Sequence, residues 1–244
     1  MGEVYWQSPD GSLKLYLGDA LQILPNLIGH AVVTDPPYNA GVSYGPGTDD
    51  NRDEAEYLSW LRQVFCMCAH ALRGSGPIVW FWQGIRVARG DVVRVLPFGY
   101  RVHHVAAWFK QEFAGDLFKH DHPAYCWEPI IWAVPERVPA RYYGPRGGHV
   151  GRDGLLANHP QHDGGVGTDQ HPCAKPLSVV QAVTQWVTPP GGTVIDPFAG
   201  SGTTLIAAYR LGLSGIGIEI EERYCEVAAR RLERECQQLR LALR

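Results

Sequence analysis

No apolar run in this 244-residue chain approaches the roughly 18 residues that a membrane helix needs. The opening stretch Met1-Gly2-Glu3-Val4-Tyr5-Trp6 also lacks the basic and apolar regions of a secretory signal. Both absences point to a cytoplasmic protein with no membrane partner. The six cysteines show no Cys-x-x-Cys spacing and no small-domain framework, so they read as reduced thiols. His120-Asp121-His122 and the pair His103-His104 lack zinc-ligand spacing, and no metal is expected. Lysine is scarce, four against eighteen arginines, a bias that suits bidentate phosphate contacts. A basic excess is missing too: the net charge is −3, a mild argument against a nucleic-acid partner unless positive charge is gathered locally.

What is present describes a globular chain, 45% hydrophobic and 19% charged, long enough for one large α/β domain. Residues 13–19 alternate as a short strand and end in Gly18-Asp19. Ala31-Val32-Val33-Thr34 is a continuous apolar run of the kind found in buried parallel strands. Pro36 and Pro37 stop it, because neither can donate to a ladder. Residues 39–52 carry so many Gly, Pro, Asn and Asp that they read as a loop. Leu58, Leu61, Phe65, Cys68 and Leu72 recur at helical steps, with Arg73-Gly74 as the stop. Further strands are expected at 76–82, 103–110, 126–134, 193–196 and 215–220, and helices at 84–96, 177–188, 203–212 and from 221 onward. Strands alternating with helices predict a doubly wound, mostly parallel sheet, here of seven strands. Residues 135–170 show little apolar periodicity and are expected to form an irregular excursion from a single domain spanning 1–244.

Two segments carry chemistry. From Gly192 a strand runs into Pro197-Phe198-Ala199-Gly200-Ser201-Gly202 and then into a helix beginning at Thr203. Gly200 and Gly202 permit a tight turn and bring backbone amides close to a ligand at the positive end of that helix. The next strand ends in Glu219, about 20 residues on, where dinucleotide folds place an acid that holds ribose hydroxyls. Together these features indicate an adenosine-containing ligand. Leu205 occupies the third glycine position of the GxGxxG pattern, which disfavours NAD.

Asp196-Pro197-Phe198-Ala199-Gly200-Ser201-Gly202 resembles the DPFxGSG cofactor motif of the amino-group DNA methyltransferases, and Asp35-Pro36-Pro37-Tyr38 matches their DPPY tetrapeptide. The resemblance implies S-adenosylmethionine as cofactor. Asp196, Phe198, Ala199, Gly200, Ser201, Gly202 and Thr203 would line its site, Glu219 would hold the ribose, and Asp19-Ala20, within a segment similar to the family's GDA, would lie near the adenine. It also implies catalysis by Asp35, Pro36, Pro37 and Tyr38. An exocyclic amine is a poor nucleophile because its lone pair is delocalised into the ring. Asp35 and the Pro36 carbonyl can each accept one amino hydrogen, the prolines fix that carbonyl, and Tyr38 offers a face to an extruded base.

The tetrapeptide comes first and the glycine loop last, which resembles the β arrangement of these enzymes. His171-Pro172-Cys173-Ala174-Lys175-Pro176 is similar to the family's HPTQKP segment, differing at Cys173 and Ala174, and Lys175 is expected to neutralise the cofactor's carboxylate. The fold implied is the S-adenosylmethionine-dependent methyltransferase type, and the partner is double-stranded DNA. The resemblance admits two further partners, a second copy of the chain and a cognate restriction enzyme. Aspartate at the head of the tetrapeptide favours adenine N6 as target. Cytosine N4 and a non-catalytic DNA- or cofactor-binding subunit stay open as alternatives, with RNA methylation a third.

Pro172-Cys173 could suggest the nucleophile of ring-carbon cytosine methyltransferases, but no Glu-Asn-Val motif accompanies it. Arg230, Arg231, Arg234 and Arg240 interleave with Glu222, Glu226, Glu233 and Glu235 and read as a solvated, charge-paired helix face. The 135–170 excursion lies where the family places target recognition. Arg137, Arg141, Arg146 and Arg152 are expected on phosphates there, and Asn158 or Gln161 on a base edge.

Overall fold

The computed structural model describes residues 3–42, 45, 50–110, 126–145, 154–157 and 175–242. The strands are β1 Glu3–Gln7, β2 Leu13–Leu17, β3 Ala31–Thr34, β4 Ile78–Phe81, β5 Tyr100–Lys110, β6 Trp127–Pro135, β7 Gly154–Ala157, β8 Thr193–Asp196 and β9 Ser214–Glu219. The helices are α1 Ala20–Ile23, α2 Glu54–Ala71, α3 Gly84–Ala88, α4 Asp91–Val95, α5 Leu177–Val187, α6 Thr203–Arg210 and α7 Glu222–Ala242. Among the described residues the strands form one sheet in the order β1-β2-β9-β8-β3-β4-β6-β5-β7. β1 and β6 are antiparallel to their neighbours, and the other strands run one way.

All seven expected strands form, and two more are added at the edges. β1 pairs with β2 through a turn in which the Asp10 carboxylate accepts from the Ser12 amide at 3.1 Å and Gly11 takes φ +73°. β7 lies inside the stretch expected to be irregular. Its Gly-Leu-Leu-Ala run covers the open edge of β5, and the Trp108 indole donates to the Ala157 carbonyl at 3.0 Å. The single helix expected over 84–96 is two, because Gly90 adopts φ +75° and breaks the ladder between α3 and α4.

β3 and β4 are buried at every position because helices cover both sheet faces. The period of two divides their side chains. Val33, Val79 and Phe81 join α5, α6 and α7 on one face. Val32, Ile78 and Trp80 join α1, α2 and α4 on the other. Helix α2 starts where Asp53 accepts from the Ala55 amide at 2.9 Å, and it stops where Gly74, at φ +63°, donates to Ala69. Its expected apolar stripe, from Leu58 to Leu72, is buried. The carboxyl ends of β2, β3, β8 and β9 consequently share one rim of the sheet, and antiparallel β6 begins at that same rim.

Candidate active site

Asp35 follows the last residue of β3. Its Oδ1 accepts from the Tyr38 hydroxyl at 2.7 Å, and its Oδ2 lies 2.7 Å from Lys175 Nζ, just before α5. Neighbouring elements hold the turn that makes this possible. Tyr57 of α2 donates to the Pro37 carbonyl at 2.9 Å while accepting from the Trp82 indole at 3.2 Å. Arg86 of α3 donates to the Tyr38 carbonyl at 3.2 Å and pairs with Glu54. Among the described residues the Pro36 carbonyl accepts no hydrogen bond. Burial raises the Asp35 carboxyl above the ordinary range, although the Lys175 ammonium pulls it back. Burial, together with the carboxylates of Asp35 and Glu128, pushes the Tyr38 phenol well above its usual range, so it remains a donor.

Glu128 and Lys110 belong to this cluster and were not expected there. Glu128 Oε2 accepts from the Tyr38 hydroxyl at 3.3 Å and lies 3.4 Å from Lys175 Nζ; its Oε1 is 2.7 Å from Lys110 Nζ. Burial opposes its ionisation, but the two ammonium groups outweigh that and hold it below the ordinary carboxylate range. A signal for both was present. Each is a charge in a strand that is otherwise mostly apolar, where an unpaired charge is costly.

The glycine loop closes the other side of the cleft. The buried Asp196 carboxylate accepts from the Thr34 hydroxyl at 2.7 Å and the Phe198 amide at 3.1 Å. Glu219 accepts from the Gly200 amide at 2.8 Å and the Glu221 amide at 2.9 Å. Gly202, at φ +81°, caps α6, and a side chain on Gly217 would come within 2.9 Å of Ala199 Cβ. The Gly18 amide donates to the Glu219 carbonyl at 2.8 Å, which brings Asp19-Ala20 beside Glu219; the Asp19 carboxylate caps α1 at Leu21. Burial lifts Asp196 to about 6 and Glu219 to about 7. Both carboxyls accept from neighbouring amides or hydroxyls, and Asp196 also lines the cleft, where it is an acceptor for a ligand's hydroxyl or amino group. Asp35, Phe81, Lys175, Asp196, Phe198 and Gly200 line one shared cleft. Lys175, expected at a cofactor carboxylate, lines this cleft but points its ammonium at Asp35 and Glu128.

The solvated-face reading of the last helix holds for Arg230, paired with Glu226 at 2.7 Å, but not for Arg231. Arg231 is drawn in beneath the glycine loop, donating to Ser201 Oγ at 2.7 Å and to Thr203 Oγ1 at 3.3 Å. Burial and the neighbouring Arg234 lower its guanidinium to about 10. The loop after Tyr38 is anchored at its ends. The buried Asp50 carboxylate accepts from the Asn39, Ala40 and Val42 amides at 2.7, 3.1 and 3.0 Å. Arg52 stacks on Trp60, which packs against Phe198.

The structure does not bring Arg137 and Arg141 to the cleft. Arg141 lines a groove with His30, Gly76, Pro77 and Pro189, which precede β3, β4 and β8 at the amino ends of the parallel strands. Arg137 follows the far end of β6, whose nine residues at roughly 3.3 Å each separate it from Glu128. Arg146, Arg152, Asn158, Gln161, His120–His122 and His171–Ala174 lie outside the described residues.

Residues 30–230 match the family model described as DNA methylase, N6_N4_Mtase. The type II methyltransferase M.ScaI of Streptomyces caespitosus is 28% identical over 273 aligned residues, spanning 98% of this chain and 86% of that protein. The M1.HpyAVI–SAM complex superimposes with a TM-score of 0.69 at 25% identity, covering 90% of this chain and 98% of that one. The PvuII DNA methyltransferase, cytosine-N4-specific, shares the fold with a TM-score of 0.73 at 18% identity, covering 89% of this chain and 85% of that one. With the family match running through both the Asp35 turn and the glycine loop, the chain belongs to the N6_N4_Mtase family of DNA methylases.

Proposed function

We propose that this DNA methyltransferase moves a methyl group from S-adenosylmethionine to the N6 amine of an adenine extruded from duplex DNA. The observation that carries the reading is the shared cleft: Asp35 at the end of β3 and the Asp196–Thr203 loop after β8 open onto the same space. Asp196, Phe198, Gly200 and Glu219 would hold the cofactor, with Asp19 beside them. Bound there, S-adenosylmethionine supplies a methyl group already activated on a sulfonium, so the protein contributes position and electrostatics.

Asp35 would accept one amino hydrogen and the Pro36 carbonyl the other, turning the nitrogen lone pair away from the ring. Lys175 Nζ lies 5.1 Å from the centre of the Tyr38 ring, so a base stacked on Tyr38 would use the opposite face. Cytosine N4 is the second reading, favoured by the fold shared with PvuII and by an amine that offers the same two hydrogens. A non-catalytic subunit is disfavoured by the complete Asp35–Tyr38 turn. Duplex DNA, a second copy of the chain and a cognate restriction enzyme complete the proposed partners. The single domain with 135–170 as recognition excursion belongs to the same proposal. Phosphate contacts from Arg137 and Arg141 would require a duplex that passes the amino ends of the strands.

Incubation of mixed-sequence DNA with labelled S-adenosylmethionine, followed by nucleoside mass spectrometry, tests this directly. Label in N6-methyladenine supports the reading, and label in N4-methylcytosine replaces the base. Asp35→Ala should abolish transfer with cofactor binding retained; wild-type turnover by that variant would overturn the assignment.

A further inference from the structure

The reaction releases a proton, and Asp35 is already occupied on both oxygens. Tyr38 has one hydroxyl hydrogen for two carboxylates, 2.7 Å from Asp35 and 3.3 Å from Glu128. Lys175 Nζ is likewise 2.7 Å from Asp35 and 3.4 Å from Glu128. A shift of under about 1 Å would exchange the partner in each case, well within the range of a side-chain adjustment. Lys110, 2.7 Å from the other Glu128 oxygen, anchors Glu128 from β5.

We infer that Glu128 is a positioning residue for the reaction, receiving Lys175 and the Tyr38 hydroxyl from Asp35 when Asp35 takes the proton of the substrate amine. In that step the amine nitrogen gains the methyl carbon and loses one hydrogen. The bonding pair of the broken sulfur–carbon bond stays on sulfur, and the hydrogen passes as a proton to Asp35 Oδ2, then to water as product leaves. The physical need lies in Lys175, whose side chain is only 7% exposed. Protonating Asp35 removes the charge of the nearer carboxylate, and Glu128, 3.4 Å from the ammonium, keeps its own, which matters because loss of a counter-charge to a buried ion is strongly unfavourable. Glu128 keeps it paired throughout. Among the described residues, the charged or titratable groups acting on Asp35 are Tyr38, Lys175 and Glu128, with Lys110 behind Glu128 and Asp196 coupled from β8. The inference rests on the reading that Asp35 accepts the amino hydrogen.

The test uses the full chain. Glu128→Gln should slow single-turnover methylation about tenfold or more, leave DNA and cofactor affinity unchanged, and be partly rescued by Glu128→Asp. Carboxyl-carbon NMR of the protein without cofactor gives a readout independent of activity. In Glu128→Gln the Asp35 carboxyl should titrate at lower pH, because a repelling charge is gone and Glu128 no longer competes for Lys175. In Lys110→Gln it should titrate at higher pH, because Glu128 then draws Lys175 more strongly. A merely structural role would slow the reaction with the Asp35 titration unmoved in both variants, and that result overturns the inference, as does a wild-type rate in Glu128→Gln. Should Glu128→Gln not fold, the sign of the Lys110→Gln shift decides. Turnover by Asp35→Ala would remove the underlying reading instead, so the two failures are distinguishable.

Discussion

The Thr34 hydroxyl donates to Asp196 Oδ1 at 2.7 Å across 162 residues of sequence. It ties the last residue of β3, beside Asp35, to the last residue of β8, where the glycine loop begins. The Asp35 side and the glycine-loop side of the cleft are thereby joined by a buried hydrogen bond.

Replacing that hydroxyl should loosen the joint. Thr34→Val keeps the shape but leaves Asp196 with the Phe198 amide and the Thr204 hydroxyl as donors. We expect a loss of about 1–3 kcal/mol, read as a lower urea midpoint at pH 7.5. The loss should shrink at pH 5, where Asp196 is largely protonated. An equal loss at both values would show that the bond does not act through the Asp196 charge.

Stability without ligand should itself fall as pH rises from about 4 to 7. Burial lifts Asp196 to about 6 and Glu219 to about 7, while the unfolded chain titrates both in the ordinary carboxylate range. Within that window the folded state holds more protons than the unfolded state, so the slope of stability against pH is negative. The favourable contribution is present in full below the unfolded values and is gone above about 7. Glu219→Gln should flatten the upper part of the window. Urea midpoints that climb steadily from pH 5 to 7.5 would contradict this.

Tyr57 supports the Asp35–Tyr38 turn from outside. Tyr57→Phe deletes the donor to the Pro37 carbonyl and strands the buried Trp82 indole. A cost of about 1–3 kcal/mol is expected, with slower transfer and unchanged cofactor affinity. Thermal unfolding and single-turnover rates measure the two effects separately.

Arg231 is expected to act on the cofactor side alone. Arg231→Met keeps the length and apolar stem but loses the contacts to Ser201 and Thr203. Cofactor affinity by calorimetry should weaken by roughly tenfold, the size of a lost charge-assisted hydrogen bond, while DNA binding holds. Arg231→Lys should recover only part of it, since one ammonium cannot reproduce the guanidinium fork.

The strands and both motifs were legible because their signals are local. A four-residue apolar run such as Ala31–Thr34 has few alternatives to a buried strand, and two prolines end it wherever it is placed. The excursion was less legible. Gly154–Ala157 is too short to announce a strand, and it becomes one because β5 offers an open edge. Arg231 misled because its charge pattern along α7 matches that of a solvated face. Only the approach of the Ser201 loop shows which of the interleaved arginines turns inward.

The sequence by itself determined the alternation of strands and helices, the Asp35 turn, the glycine loop and the acid at Glu219, since each depends on neighbours a few residues away. The tertiary structure decided which distant charges meet. Glu128 reaches the Asp35 cluster because β6 runs antiparallel to β4 and so starts at the rim where the parallel strands end, and Lys110 meets it there from the carboxyl end of β5, which runs with β4. The same reversal carries Arg137 and Arg141 to the opposite rim. Strand direction within a sheet is set by which edges pair and which faces are buried, and no local run of residues encodes it.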